Sequence, residues 1–132
     1  CMARAQKLGN IEWHEPVFDM REAYAKARIL LMPSIWEESF GRTVVEAQLN
    51  GIPVLSSNRG ALPALVGESG IVLDPHAPID DWAQALRTLY ATAPAYSNTA
   101  RQLGMRHASA TPLIAAEFLT ALAAHATALA SA

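Results

Sequence analysis

The sequence predicts an α/β domain in which a parallel sheet is covered by helices on both faces. Two observations favour this class: short apolar runs alternate with amphipathic segments over residues 19–91, and an alanine-rich helical stretch follows. Short strands that alternate with helices are typical of βαβ units, whose strands run parallel. Right-handed crossovers then place helices on both faces of the sheet.

The elements of the first half are predicted from capping residues, stop signals and apolar runs. Gly9-Asn10 is a helix stop, and Asp19 can cap a helix. A run that is apolar on both faces ends at Pro33, which suits a buried parallel strand. In order, the expected elements are a helix over residues 2–8, a strand over 11–14, a helix over 19–28 and a strand over 29–32.

The second half repeats the alternation and then becomes helical. Asn50-Gly51 ends one helix, and alanine, which has the highest intrinsic helix propensity, dominates the last one. The expected elements are a helix over 41–49, a strand over 53–55, a helix over 62–66, a strand over 70–75, and three helices over 79–91, 95–107 and 112–129.

Composition limits the class of function. A chain of 132 residues is one ordinary domain, and slightly more than half of them are apolar at a net charge of −2. This balance indicates a globular core and argues against disorder and against electrostatic binding of nucleic acid. No apolar run approaches the roughly 20 residues that span a bilayer. One cysteine and four scattered histidines indicate neither an internal disulfide nor a metal site.

The loop and helix around Gly41 contain the residues that we expect to bind a ligand. The first N–H groups of a helix have no partner within it, and its dipole favours an anion there. Gly41 permits close approach of a ligand to the backbone, and Thr43 adds a hydroxyl. Glu38 precedes this helix and Glu46 lies within it. Because carboxylates repel an anion, they are expected to accept hydrogen bonds from neutral hydroxyls, a combination that suits a nucleotide sugar.

The segment PSIWEESFGRTVVEAQLNGIPVLSS, residues 33–57, resembles the donor-site signature of the GT-B retaining glycosyltransferases of group 1 (family 4-like). That signature has a glutamate, seven residues and a second glutamate, preceded by Pro-Ser and followed by Gly-x-Pro-Val. The segments 10–33 and 60–75 resemble the neighbouring strands and helices of the family. Two glutamates at this spacing occur often by chance, whereas the ordered series of motifs is specific.

The resemblance implies a role for each residue of the signature. Glu38 would be the catalytic residue, holding hydroxyls of the donor sugar near the reacting carbon, and Glu46 would accept the ribose hydroxyls. The donor-binding residues between them would be Ser39, Phe40 and Gly41, through their backbone, and Arg42 and Thr43, which would meet the diphosphate. The family usually has an aliphatic residue at position 42 and often a glycine at position 15, in the loop that contacts the base.

The resemblance also implies the reaction and the partners. The expected reaction transfers a sugar from a UDP-, GDP- or ADP-sugar to an acceptor with retention, without a metal or other cofactor. Residues 1–132 would be one partial donor-binding domain, the C-terminal Rossmann-like half of a GT-B fold without its N-terminal side. Residues 112–132 would be a terminal helix that packs on the missing N-terminal domain.

The partial domain leads to further expectations. The isolated chain would be inactive and would self-associate through its uncovered apolar face. It would bind no nucleic acid, and membrane contact would occur only through the missing half, at a cytoplasmic location or the inner face of the membrane.

Other classes remain open from the sequence. A nucleotide-sugar epimerase on the same fold would use the same donor site, and a non-catalytic nucleotide-sugar-binding or interaction domain would retain a decayed one. A dehydrogenase is disfavoured because no Gly-x-Gly-x-x-Gly is present.

Some aromatic and charged residues are expected to have structural roles. Trp13 and Trp82 are expected in the core, and Trp36 is expected to pack against its own loop. Glu37 is expected at the surface, and Arg59 is expected to form a turn with its neighbour Gly60.

Overall fold

The computed structural model describes the backbone of residues 7–15 and 19–130, and the side chains of these residues up to 110. A 3-10 turn, Gly67–Ser69, connects the third helix to the third strand. The elements in chain order are α1 (Arg21–Lys26), β1 (Leu30–Met32), α2 (Arg42–Leu49), β2 (Val54–Ser57), α3 (Leu62–Val66), β3 (Gly70–Leu73) and α4 (Ile79–Ala130).

The three strands form one parallel sheet in the order β1-β2-β3. Leu30 lies opposite Val54, and Val54 lies opposite Gly70. All four residues of β2 are buried, as expected for the central strand of a sheet that is covered on both sides. The predicted α/β class with a parallel sheet is therefore confirmed.

Alternate side chains of the strands face two different hydrophobic clusters. On one face, Leu30, Met32, Val54 and Val72 pack with buried residues of α2 and α3. On the other face, Leu55, Ile71 and Leu73 pack with Trp82, Ala85 and Leu89 of α4. This alternation follows from the two-residue period of a strand. It confirms that helices cover both faces and that Trp82 belongs to the core.

The prediction of three separate helices after residue 79 is wrong, because α4 is a single helix of 52 residues. Proline inside a helix removes one hydrogen bond and costs about 3 kcal/mol, and Pro94 lies between the first two predicted helices. However, Pro94 is exposed, and buried side chains continue at helical spacing on both sides of it. These residues are Trp82, Ala85, Leu89, Ala93 and Ala100. Their continuous packing offsets the lost hydrogen bond.

The later part of α4 packs against α2 at very short range. A Cβ placed on Gly104 would lie 2.5 Å from the backbone nitrogen of Leu49, so only glycine allows this approach. The separate terminal helix expected over residues 112–132 is instead the continuation of α4 to Ala130, and residues 131 and 132 lie outside the described residues. Among the described residues, none of the helices combines the length and apolar character needed to cross a bilayer.

The structure differs from several predictions made for the residues before β1. Residues 2–6 of the expected first helix lie outside the described residues, and residues 7–10 consist largely of turn. The strand expected over 11–14 does not form, and Trp13, expected in the core, is 56% exposed. The helix expected to begin after Asp19 is shorter than predicted, although the Asp19 carboxylate accepts a hydrogen bond from the Arg21 backbone N–H at 3.0 Å.

Replacing Pro94 with alanine tests the account of α4. Alanine restores the backbone N–H at an exposed position, so the substitution is expected to raise the free energy of unfolding by about 1–3 kcal/mol. Urea denaturation followed by circular dichroism measures this change. Pro78→Ala is the matched control, because Pro78 immediately precedes the helix and is expected to give no gain. A loss of stability in Pro94→Ala would contradict the account.

Candidate functional site

The loop between β1 and α2, residues 33–41, lies at the carboxyl edge of the sheet and is hydrogen-bonded to the last residue of β2 and to the residues that follow it. The Ser57 hydroxyl donates to the backbone oxygen of Ser34 at 2.6 Å. The Ala61 N–H donates to the backbone oxygen of Glu38 at 2.8 Å. These bonds fix the course of the β1–α2 loop, because they hold it near both its ends.

Gly60 makes the closest contact with this loop. Its N–H donates to the Glu37 carboxylate, and the Arg59 guanidinium lies 3.6 Å from the same carboxylate. Gly60 has a φ of +54°, and a Cβ at this position would lie 2.2 Å from the Glu38 backbone oxygen. Both the backbone conformation and the space therefore require glycine.

Glu38 lies in this loop, three residues before Gly41, the residue that precedes α2. One carboxylate oxygen, Oε1, accepts a hydrogen bond from the Ser34 hydroxyl at 3.3 Å. The same hydroxyl lies 3.1 Å from the backbone oxygen of Trp36. Glu38 is half-buried, so its carboxylate is oriented by the loop but still accessible to a ligand.

Helix α2 starts directly after the loop. Gly41 has a left-handed conformation with φ of 63°, and its carbonyl accepts the first helical hydrogen bond, from the Val44 N–H at 2.9 Å. Arg42 and Thr43 form the first turn and are exposed. Ser39 and Phe40, which the sequence also predicted as donor-binding residues, are exposed in the loop just before it. The structure thus places the predicted residues 38–43 in one continuous segment, in which Gly41 is buried and the other residues are exposed or half-buried.

Glu46 lies one turn further along α2 and has two partners. Tyr24 of α1 donates its hydroxyl proton to Oε2 at 2.8 Å. The Arg42 Nε donates to Oε1 at 2.8 Å. Burial and the hydrogen bond to Glu46 raise the pKa of Tyr24 to about 12. The phenol, protonated at neutral pH, is a neutral donor to the Glu46 carboxylate.

The two glutamates are held by different parts of the fold. Glu38 depends on the β1–α2 loop and the residues after β2, whereas Glu46 depends on α1 and on Arg42. They share no hydrogen-bond partner among these contacts, which argues against a coupled acid–base pair that exchanges one proton. The arrangement instead offers two separate acceptors on either side of a helix start.

An apolar groove of about 410 Å³ lies on the other face of the sheet. Leu31, Leu55, Trp82 and Leu86 are among its lining residues, and neither glutamate contributes to it. Leu31 is 49% exposed there. The groove therefore belongs to the uncovered apolar face near β1 and is separate from the predicted donor site.

Sequence reasoning missed two residues of the site. Glu37 was expected to be only a surface charge, but its carboxylate anchors the loop to Gly60. The bond from the Tyr24 hydroxyl to Glu46 was not predicted. Both contacts join residues that are more than 20 positions apart, so no local pattern signals them. Trp36, expected to pack against its loop, is 77% exposed.

Two other expectations concern the base-contacting loop and metal binding. Of the base-contacting loop expected over 15–18, Glu15 is exposed and residues 16–18 lie outside the described residues. Among the residues that the structure describes, no group of three or more His, Cys, Asp or Glu side chains is placed to hold a metal ion.

Sequence comparison relates the chain to sugar-transferring enzymes. The family model described as glycosyl transferases group 1 matches residues 1–92. A D-inositol 3-phosphate glycosyltransferase from Corynebacterium kroppenstedtii is 45% identical over 76 residues, which are 56% of this chain and 16% of that protein. The same enzyme from Paenarthrobacter aurescens is 38% identical over 88 residues, which are 63% of this chain and 21% of that protein. The chain thus spans about a fifth of these curated relatives.

Structural comparison gives the same fold. Sucrose-phosphate synthase from Thermosynechococcus elongatus superposes with a TM-score of 0.62 at 24% sequence identity. The match covers 80% of this chain and 28% of that chain. It confirms the Rossmann-like α/β fold, similar to that of a GT-B glycosyltransferase.

Substituting Gly60 with alanine tests how the loop is held. The added methyl group would meet the Glu38 backbone, and the positive φ would be strained, so the free energy of unfolding is expected to fall by about 1–3 kcal/mol. Chemical denaturation measures the change. Gly9→Ala is the control, because a Cβ there would meet nothing within 4 Å. Equal stability of Gly60→Ala and the wild type would show that the loop does not depend on this contact.

Proposed function

Because this chain belongs to the group 1 glycosyltransferases, we propose that it supplies part of the donor site of an enzyme that transfers a sugar from a nucleotide diphosphate sugar. The acceptor receives the sugar with retention of the anomeric configuration. The observation that carries this proposal is the start of α2 at the carboxyl edge of the sheet, between two separately oriented carboxylates. Ligands of open parallel sheets bind outside this edge.

The diphosphate is assigned to the first turn of α2. The N–H groups at a helix start have no partner within the helix, and the helix dipole favours negative charge there. The expected role of Gly41 in ligand approach is wrong: Gly41 is buried, and a Cβ there would lie 3.0 Å from Leu62 and Leu65, so core packing and the positive φ require the glycine. The exposed side chains of Arg42 and Thr43 add a positive charge and a hydroxyl to the same turn. With the backbone of Ser39 and Phe40, they provide donors for the phosphate oxygens.

Glu38 is assigned to the donor sugar. Glu38 precedes the helix start, and we assign the donor sugar to this side of the diphosphate. The Ser34 hydroxyl donates to one carboxylate oxygen at 3.3 Å, and the other oxygen can accept hydrogen bonds from sugar hydroxyls. In retaining transfer, positive charge develops at the anomeric carbon while the diphosphate leaves, so a nearby fixed carboxylate stabilises the transition state.

Glu46 is assigned to the ribose. It lies within α2, four residues after Arg42 at the helix start, and its side chain is 31% exposed. The two ribose hydroxyls are neutral, so a carboxylate can accept hydrogen bonds from them without electrostatic repulsion. In this assignment the nucleotide is a UDP, GDP or ADP derivative, and no metal or further cofactor is required.

The enzyme as a whole would need more than these residues. The chain covers less than a third of each relative and structural neighbour described above. We therefore expect the 132-residue chain by itself to bind nucleotide weakly and to transfer no sugar, the remaining phosphate contacts and the acceptor site being supplied by further parts of the protein. Sugar transfer by the isolated chain would contradict this part of the proposal.

The ribose assignment is tested by comparing ribonucleotides with 2′,3′-dideoxyribonucleotides. Ligand-observed NMR titrations of the 132-residue chain with UDP, GDP and ADP identify the preferred nucleotide. Hydrogen bonds to a charged group contribute about 1.5–3 kcal/mol, so the wild type is expected to prefer the ribonucleotide over its dideoxy form by about tenfold or more. Glu46→Ala is expected to abolish this preference.

Glu68→Ala is the matched control for this experiment. Glu68 is an exposed glutamate just before β3, at the amino edge of the sheet, and its removal is expected to change neither affinity. A wild type that binds both nucleotide forms equally, or that binds none of the three ribonucleotides, would overturn the proposed donor site.

A further inference from the structure

We propose that Tyr24 is a positioning residue for Glu46 and thereby for the ribose hydroxyls of the nucleotide. This inference rests on the proposed function. The geometry behind it is the hydrogen bond of 2.8 Å from the Tyr24 hydroxyl to the Glu46 Oε2, which connects α1 to α2 across 22 residues of sequence.

Tyr24 is itself held by the core. Helix α1 has no fully buried residue, but the Tyr24 side chain packs against the hydrophobic cluster formed by α2, α3 and one face of the sheet. The ring is therefore anchored while its hydroxyl reaches the surface of α2. The phenol is protonated at physiological pH even at its ordinary pKa of 10, and burial together with the bond to Glu46 raises that pKa further, to about 12.

The two carboxylate oxygens of Glu46 have different hydrogen-bond partners. Oε2 is occupied by the half-buried tyrosine, whereas Oε1 is paired with Arg42, whose side chain is 85% exposed. Exposed ion pairs of this kind contribute little and are easily exchanged. Oε1 is consequently the atom offered to a ribose hydroxyl. Once that hydroxyl replaces Arg42, the guanidinium is free to meet the diphosphate at the same helix start.

Because Tyr24 binds one carboxylate oxygen and the ligand binds the other, the tyrosine hydroxyl affects the affinity for a ligand that it does not contact. A carboxylate fixed at one oxygen has fewer rotamers to lose when the other oxygen binds. Without the tyrosine, Glu46 would be held by Arg42 alone, and Arg42 would compete with the ribose for the same side chain.

Tyr24→Phe removes only the hydroxyl and keeps the ring in the core. The variant is expected to bind the preferred ribonucleoside diphosphate about fivefold more weakly, as for the loss of one hydrogen bond. Its affinity for the 2′,3′-dideoxy counterpart is expected to be unchanged, because that ligand lacks the hydroxyls in question. Ligand-observed NMR titration of the 132-residue chain measures both affinities.

The matched control is Tyr90→Phe. The Tyr90 ring is exposed on α4, where the Arg28 guanidinium stacks over it at 4.3 Å from the centroid. Removing its hydroxyl is expected to change neither affinity. Equal weakening of both nucleotides in Tyr24→Phe would indicate a merely structural role and would overturn the inference.

The experiments distinguish a failure of the positioning role of Tyr24 from a failure of the proposed function. If Glu46→Ala loses the preference for the ribonucleotide but Tyr24→Phe keeps it in full, the proposed function holds and the positioning role is wrong. If the wild type shows no such preference, both are wrong.

A second measurement does not depend on how Tyr24→Phe folds. Tyrosinate absorbance is followed during alkaline titration of the wild type and of Glu46→Gln. Removing the carboxylate charge is expected to lower the highest tyrosine pKa from about 12 toward the ordinary value of 10. An identical titration curve in Glu46→Gln would show that Tyr24 and Glu46 are not coupled, which would also overturn the inference.

Discussion

The site depends on one constraint, the attachment of the β1–α2 loop to the end of β2 and the residues that follow it. A loop that leaves a strand must satisfy its own backbone groups, and here the end of the neighbouring strand provides the partners. Ser57 holds the start of the loop and Ala61 holds Glu38 near its end. Gly60 permits the two backbones to lie in contact. Since α2 begins directly after this loop, the same contacts also fix where the helix starts.

Helix α2 is then held from the opposite side as well. The side chain of Gln48 is completely buried and donates through Nε2 to the Leu65 backbone oxygen at 2.6 Å and the Ser69 hydroxyl at 2.8 Å. Together with the close approach of Gly104 to Leu49, this packing makes α2 a rigid support for Glu46.

The electrostatics of the site follow from this support. Glu38 and Glu46 are both accessible, yet each has at least one neutral or exchangeable donor, so neither is an uncompensated buried charge. Arg42 neutralises one of them in the absence of a nucleotide and lies on the turn assigned to the diphosphate. A site of this kind can accept neutral hydroxyls at both ends and an anion in the middle. The opposite face of the sheet, with its apolar groove beside β1, has no comparable polar groups in its lining.

The sequence by itself determined the α/β class, the strand and helix order from residue 29 to 79, and the segment that carries the candidate site. These features are encoded locally, in apolar runs, stop signals and the ordered motif series of residues 33–57. Only the tertiary structure decided that α4 continues through Pro94, because the packing of side chains before and after the proline outweighs a local preference. It also decided the partners of the two glutamates. Tyr24, Glu37 and Gly60 act through contacts between residues distant in the chain, and such contacts exist only once the helices and strands have packed together.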